Sequence, residues 1–401
     1  MNKSSHFSGQ PIFSQLINLI PRSKIFQISK KLKSDYYYKK FKTYEHLITM
    51  LYAIWSNCSS IREVTTGLLA CSSRINHLGM NYFPRRSTLS DANCKRNAKV
   101  FEEIYKVLYN QLARSLPDSR TEKWASKLYI FDSTTISLFQ EILKNAGRSP
   151  MNGKRKGGIK AHTMIKADQD VPCLVKLTSA AAHDSPFMKE IDVPKGSILV
   201  FDKAYNDYKQ LACWNDTQVY FVSRLNKAAI CQQLENYTIT DEQQHSGVLK
   251  DQKILLGHHH HDNITRVKVR LVVYHDPQSR KVFHFFTNIF DLPALTIANI
   301  YKKRWQIEIL YKRIKQNYPL KYFMGDNENA IKIQIWCALI ADLLLKYIRK
   351  HAKKNWAFAN LVSMIRLHLM NYINLFKFLN NPEQSIEVSK SKPLSWSLFP
   401  T

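Results

Sequence analysis

A chain of 401 residues with 45% hydrophobic side chains is long enough for two or three packed modules and too apolar for a disordered tail. Its 59 Lys and Arg against 31 Asp and Glu leave a formal charge of +28, which attracts polyanions and predicts binding that weakens steeply with salt, although charge alone does not separate DNA from RNA or an anionic membrane. Seven dispersed cysteines with no C-x-x-C pair argue against a disulfide framework or a zinc finger, and the polar Met1–Gln10 stretch lacks the apolar core of a secretory signal, so a cytoplasmic, nucleoid-associated bacterial protein is expected.

Residues 1–118 read as a helical DNA-binding module. Apolar residues recur at helical spacing through Phe13, Leu16, Ile17 and Ile20, then Leu47, Met50, Leu51 and Ile54, then Val100, Ile104, Val107 and Leu108, with breaks at Pro21, Ser59-Ser60 and Pro84. Arg85 to Asp91, followed by Lys95 and Arg96, has the look of the start of a recognition helix; capping and solvent exposure explain the same residues.

Residues 119–226 read as the first part of a catalytic core. Lys127 to Phe131 is a β-branched and aromatic run that stops at Asp132, and Ser197 to Phe201 repeats the design before Asp202. Either Asp alone could merely start a turn or cap a helix. Between them lie extended runs at Ile159–Ala167 and Val171–Thr178, joined by the turn Asp168-Gln169-Asp170, and a short helical stretch near Ser185 to Ile191. A helix from about Ala204 to Trp214 and a strand from Gln218 to Ser223 follow. That order fits an α/β fold with a ribonuclease-H-like mixed sheet, which would set Asp132 and Asp202 on adjacent strands. His162, on the second run, is read as structural or auxiliary.

Residues 227–290 exceed any direct crossover and contain alternating runs at Thr265–His275 and Lys281–Phe286 around an Asp276-Pro277-Gln278-Ser279 turn, so a β-rich insertion is expected. Consecutive His258 to His261 do not converge on one ion, and a solvated loop is the better reading.

Residues 291–350 return to the core. Ile300 to Lys315 has no Gly or Pro and reads as one helix, on which Tyr301, Arg304, Glu308 and Lys315 would share an arc of about 60° at roughly 100° per residue. Ile331 to Ile348 is interrupted by Lys332, Gln334, Asp342 and Lys346, which suits a packed helix or dimer contact better than a membrane span. Residues 351–401 read as a helical region and a loose tail with no identifiable chemistry. Three carboxylates converging on one spot, Asp132, Asp202 and Glu308, would supply hard oxygen ligands for two Mg2+ ions, with Mn2+ able to substitute, about 4 Å apart.

The spacing Tyr301-x2-Arg304-x3-Glu308-x6-Lys315 matches the Y-R-E-K signature of DDE transposases of the insertion-sequence-four family, and Phe131-Asp132-Ser133-Thr134 and Phe201-Asp202-Lys203-Ala204-Tyr205 resemble its catalytic strands, with Ala204 where the family usually has Gly. The resemblance implies metal-dependent cleavage of transposon ends, through a hairpin, and strand transfer into target DNA. It implies Asp132, Asp202 and Glu308 as catalytic metal ligands, and Tyr301, Arg304 and Lys315 as contacts to DNA phosphate. Partners would be double-stranded DNA at terminal inverted repeats, target DNA, and a second copy of the chain in a synaptic homodimer. A transposase-derived regulator without catalysis, and a ribonuclease-H-like nuclease without joining activity, are the alternatives.

Overall fold

The computed structural model describes residues 9–117, 123–137, 158–257 and 266–385. Its N-terminal part is helical, with α1 (Ile12–Ile17), α2 (Arg22–Lys31), α3 (Thr43–Trp55), α4 (Ile61–Ala70), α5 (Arg86–Lys95) and α6 (Lys99–Leu112). The punctuation expected from sequence is where these helices start: Pro21 precedes α2, and the Ser60 hydroxyl accepts the Glu63 N–H at 3.2 Å to cap α4. Helix α6 is amphipathic, burying Val100, Phe101, Ile104, Leu108 and Leu112.

Arg96, read above as a possible base-contacting residue, is turned inward. It is 1% exposed, donates to the Phe41 carbonyl at 2.7 Å and lies 4.1 Å over the Tyr38 ring. Helix α5 therefore ends in a structural arginine, because its apolar side (Leu89, Ala92) and Asn93 face the core and carry the next turn inward.

The sheet begins with β1 (Leu128–Ser137), β2 (Gly158–Lys166), β3 (Pro172–Ser179), β4 (Ile198–Phe201) and β5 (Tyr220–Arg224), with α7 (Tyr208–Asp216) crossing between the last two. Strands β1 to β3 form an antiparallel meander, whereas β4 and β5 run parallel to β1, in the spatial order β3-β2-β1-β4-β5. This is the expected ribonuclease-H-like mixed sheet. Helix α7 starts later than Ala204 because the Asp207 side chain caps it, accepting from the backbone N–H groups of Lys209 and Gln210, and the stretch after β3 is a 3-10 turn (Ser185–Glu190).

The insertion continues this sheet. It supplies β6 (Cys231–Asn236), α8 (Asp241–His245), β7 (Val248–Leu256), β8 (Val267–Asp276) and β9 (Lys281–Thr287); β9 pairs with β5, giving a nine-stranded sheet in the order β3-β2-β1-β4-β5-β9-β8-β7-β6. The β8–β9 turn is set by Asp276, whose carboxylate accepts from both the N–H (3.1 Å) and the hydroxyl (2.6 Å) of Ser279. Gly247 before β7 has φ +99, and a Cβ there would lie 2.3 Å from the His275 carbonyl oxygen, so only glycine fits. His258 to His261 lie outside the described residues.

The remaining helices are α9 (Ala294–Lys302), α10 (Trp305–Asn317), α11 (Glu328–His351), α12 (Phe358–His368) and α13 (Leu375–Asn380). Helix α11 is buried along most of its 24 residues and packs against α3, α5 and α6 as well as α10 and α12. Its polar residues are paired: Gln334 donates to the carbonyls of Pro319 and Tyr322, Asp342 binds Arg313, and Lys346 binds Asp170. Among the described residues no helix is long and apolar enough to cross a membrane.

The single helix expected over Ile300 to Lys315 is two. Between α9 and α10, the N–H groups of Lys303, Arg304, Gln306 and Ile307 all reach back three residues instead of four, a 3-10 step in which Lys303 and Arg304 keep right-handed helical dihedrals. The cause is tertiary: Tyr301 is packed on Phe285 of β9 at 4.8 Å between ring centres, while Arg304 is drawn to carboxylates.

Candidate active site

Parallel pairing of β1 with β4 aligns Tyr129 with Leu199 and Ile130 with Val200, and the same register carried two residues further sets Asp132 beside Asp202. Alternation fixes their direction. Phe131 and Phe201 stack at 4.8 Å on one face, within the core formed with Phe187, Tyr205 and Trp214, so the two aspartates point to the other face, where α10 lies. Pairing of β4 with β5 aligns Phe201 with Ser223, which puts Arg224 next to Asp202 in the same row.

Guanidinium groups hold the acids. Arg304 donates to Asp132 at 3.0 Å and to Glu308 at 2.5 Å, joining the strand carboxylate to the helix carboxylate, and Arg224 donates to Asp202 at 2.7 Å. The buried Tyr301 ring is near both, 5.8 Å from the Arg224 guanidinium and 5.9 Å from that of Arg304. Burial pushes the Asp132 carboxyl up to about 6; the Ser133 N–H and Arg304 oppose this, and the negative charges of Asp202 and Glu308 add to it. Burial also acts to raise Asp202, but the Arg224 hydrogen bond, the Lys203 N–H and the two arginine charges outweigh it and hold the group below the usual carboxylate range.

Lys315, two turns beyond Glu308 on α10, donates to the Thr134 hydroxyl (2.7 Å) and the Thr135 carbonyl (3.1 Å), further along β1 from Asp132. It borders a hollow with Thr135, Ser137, Leu320, Lys321 and Tyr322, and burial lowers its pKa. All six residues singled out from sequence thus border one region, although Tyr301 enters it from a separate helix.

Sequence reasoning missed three others. Arg224 was detectable by counting the β4–β5 register. Tyr311, whose hydroxyl donates to the Asp132 carbonyl at 2.8 Å, lies three residues after Glu308 and so on its side of α10. Asp184 sits on the opposite face of the sheet, accepting from the Ser133 hydroxyl (2.8 Å) and Lys160 (3.2 Å), and no local signal marks it. His162 belongs with Asp184: it is 1% exposed, bonds Thr178 at 3.0 Å and stacks on Phe187. Its ring faces away from the three acids.

Divalent cations fit this donor set. The three carboxylates are hard oxygen donors, buried enough to raise one of them to about 6, and only two guanidinium groups pair with them. Among the described residues no three acids already form a closed cage, because Arg304 stands between Asp132 and Glu308.

Residues 123–344 match the family model described as the transposase DDE domain, and residues 8–81 match a domain of unknown function (DUF4372). The chain is 31% identical over 264 residues to a protein carrying the name transposase y4zB of Sinorhizobium fredii, covering 66% of this chain and 71% of that one. A protein of Synechocystis named as a transposase for insertion sequence element IS4SA is 28% identical over 276 residues, covering 65% and 71% of the two chains, and one of Geobacillus stearothermophilus named for element IS5377 is 28% identical over 235 residues, covering 59% and 60%. Among solved structures, the piggyBac transposase in a synaptic complex with hairpin DNA aligns over 96% of this chain and 84% of that chain at a TM-score of 0.45 and 8% identity, a likeness too distant to carry any residue correspondence.

Proposed function

Because the chain belongs to the transposase DDE domain family, we propose that it is an insertion-sequence transposase of the Y-R-E-K branch that cleaves the ends of its element and joins them to target DNA in the presence of Mg2+. The observation that carries this reading is the row Asp132, Asp202 and Arg224 along one sheet face, with Arg304 tying Asp132 to Glu308. Asp132, Asp202 and Glu308 would hold divalent cations, which would supply Lewis-acid stabilisation of oxygen charge in an in-line displacement at phosphorus.

The chain's own residues do the rest. Arg304 exchanges its carboxylate partners for a DNA phosphate, to which its planar fork offers paired donors, and Lys315 holds a neighbouring phosphate as a point charge. Tyr301 packs near both guanidinium groups. Tyr311, through the Asp132 carbonyl, ties α10 to the rim of β1. No side chain becomes covalently attached: water opens the end, the freed 3′ hydroxyl attacks the opposite strand to form a hairpin, water reopens it, and the end is joined to target DNA. The synaptic complex is a homodimer on two terminal inverted repeats, formed in the bacterial cytoplasm.

The test uses duplexes ending in the inverted repeats that flank the coding region. With Mg2+ the protein is expected to nick these ends and to insert a precut end into a second duplex. Nicking without insertion would leave the nuclease reading; binding without either would leave the silent regulator.

A further inference from the structure

We infer that the segment from Lys30 to Lys42, with the outer face of α2, is a docking surface for duplex DNA separate from the acid row. The inference rests on the reading of DNA as substrate.

Seven lysines, Lys24, Lys30, Lys31, Lys33, Lys39, Lys40 and Lys42, are exposed, and none forms an ion pair among the described residues. The two acids nearby are hydrogen-bonded. Asp35 accepts the N–H (2.7 Å) and hydroxyl (2.8 Å) of Thr43 and meets Arg96 at 3.5 Å, while Glu45 accepts the Lys42 N–H at 3.1 Å. Positive charge therefore outnumbers negative on this surface.

A lysine run alone is usually just a solvated face. Here it flanks aromatics that the fold leaves outside: Phe26 is 66% exposed, Tyr36 76% and Tyr37 88%, the two tyrosines meeting edge to face at 4.9 Å. The loop beneath them is rigidly built. Arg96, buried, holds the Phe41 carbonyl and stacks under Tyr38, and Ser34 bonds Thr43 at 2.8 Å. The exposed rings thus stand on a braced base, with little conformational entropy to lose on binding.

Shape selects the partner. Arg22, Lys39, Lys40 and Lys42 border a concave hollow of about 530 Å³ together with Phe26 and Tyr82, and Asp35 and Glu45 line it too, so four cations outnumber two acids where a ridge of phosphates would sit. A membrane would need an outward apolar stripe, whereas on α2 Phe26 is the one large apolar side chain left exposed, Ile25 being buried and Ile28 half-buried. Lys24 and Lys31 lie seven residues apart on one side of α2, spanning about 10 Å at 1.5 Å per residue. Together with the loop lysines they reach several phosphates, as a duplex presents them.

The experiment measures binding of a fluorescent duplex of arbitrary sequence over a series of salt concentrations by full-length protein, using K39Q/K40Q/K42Q and Y36A/Y37A. All five side chains are exposed, so thermal melting should be unchanged and serves as the folding control. The lysine variant is expected to bind more weakly and to lose about three from the slope of log affinity against log salt, about one per phosphate contact. The tyrosine variant should lose affinity several-fold with the slope intact. An unchanged slope and affinity in the lysine variant would overturn the inference, as would a loss confined to anionic phospholipid vesicles. If the unsubstituted protein nicks its ends while the lysine variant binds as before, only this inference fails; if the unsubstituted protein neither binds nor nicks, the functional reading fails first.

Discussion

Two arginine–carboxylate clusters sit on α10 and differ in what they leave unbalanced. At its start, Arg304 and Arg224 face three acids, so the direct pairs are one positive charge short. Near its end, Arg313 grips Asp342 with two hydrogen bonds of 3.2 and 3.0 Å and Asp170 with one of 2.6 Å, and Lys346 completes the set, two cations for two acids. The second cluster closes around Asp342, whose side chain is 1% exposed although Asp170 is 30% exposed; in the first, Asp132, Asp202 and Glu308 are 19%, 27% and 34% exposed. Burial against balance separates a structural lock from a site with room for an incoming cation and an incoming phosphate.

The largest effect should come from unbalancing the closed cluster. Asp342→Ala leaves a buried guanidinium with one partner fewer and is expected to cost about 3–5 kcal/mol of folding stability, read by urea denaturation. A cost below about 1 kcal/mol would mean the two clusters do not differ as argued. The same class of substitution in the open cluster should act on chemistry instead. Asp202→Asn is expected to reduce Mg2+-dependent end nicking by about 10³-fold or more, equivalent to about 4 kcal/mol of barrier, while gel-shift binding of the end persists. Full nicking by that variant would remove Asp202 from the site.

One acid of each cluster, Asp132 in the first and Asp170 in the second, should respond to pH with opposite sign. Asp132 has a folded value of about 6, above its unfolded one, so it binds protons more tightly when folded; its contribution is fully present below about pH 4 and is lost as pH rises through about 6. Burial opposes the depression of Asp170, but Arg313 and Lys346 prevail, so its contribution is present above about pH 4 and is lost as pH falls below that. In metal-free protein Asp132→Asn should therefore raise stability by about 3 kcal/mol at pH 8 and by nothing near pH 4, a difference that denaturation at the two pH values would detect.

Local pattern made the acids legible and hid their neighbours. The apolar run before Asp202 ends where β4 ends, whereas the run before Asp132 is only the first half of β1, which pairs with β2 on to Ser137; the strand order then supplies the parallel register that joins the two acids. The 3-10 step at Lys303–Arg304 has no such mark, since neither Gly nor Pro is present; there Tyr301 packs on β9 while Arg304 meets carboxylates. Arg96 failed for a related reason: a basic residue after a helix reads as exposed, and only the packed loop above it reveals a buried brace. In both cases a contact distant in sequence overrode a local expectation.

The remaining test asks whether Arg304 is a stand-in for a cation. Its guanidinium lies between Asp132 and Glu308, so without DNA any divalent ion must displace it from two charge-assisted hydrogen bonds. Arg304→Gln removes that competitor and its charge together. Mn2+ binding to the DNA-free variant, followed by calorimetry, is expected to tighten about tenfold, worth about 1.4 kcal/mol, whereas affinity for an inverted-repeat end should fall more than affinity for random duplex. Arg313→Gln, in the balanced cluster, should not tighten Mn2+ binding at all. If Arg304→Gln instead weakens Mn2+ binding, the guanidinium organises the acids for the ion and the site is already formed without DNA.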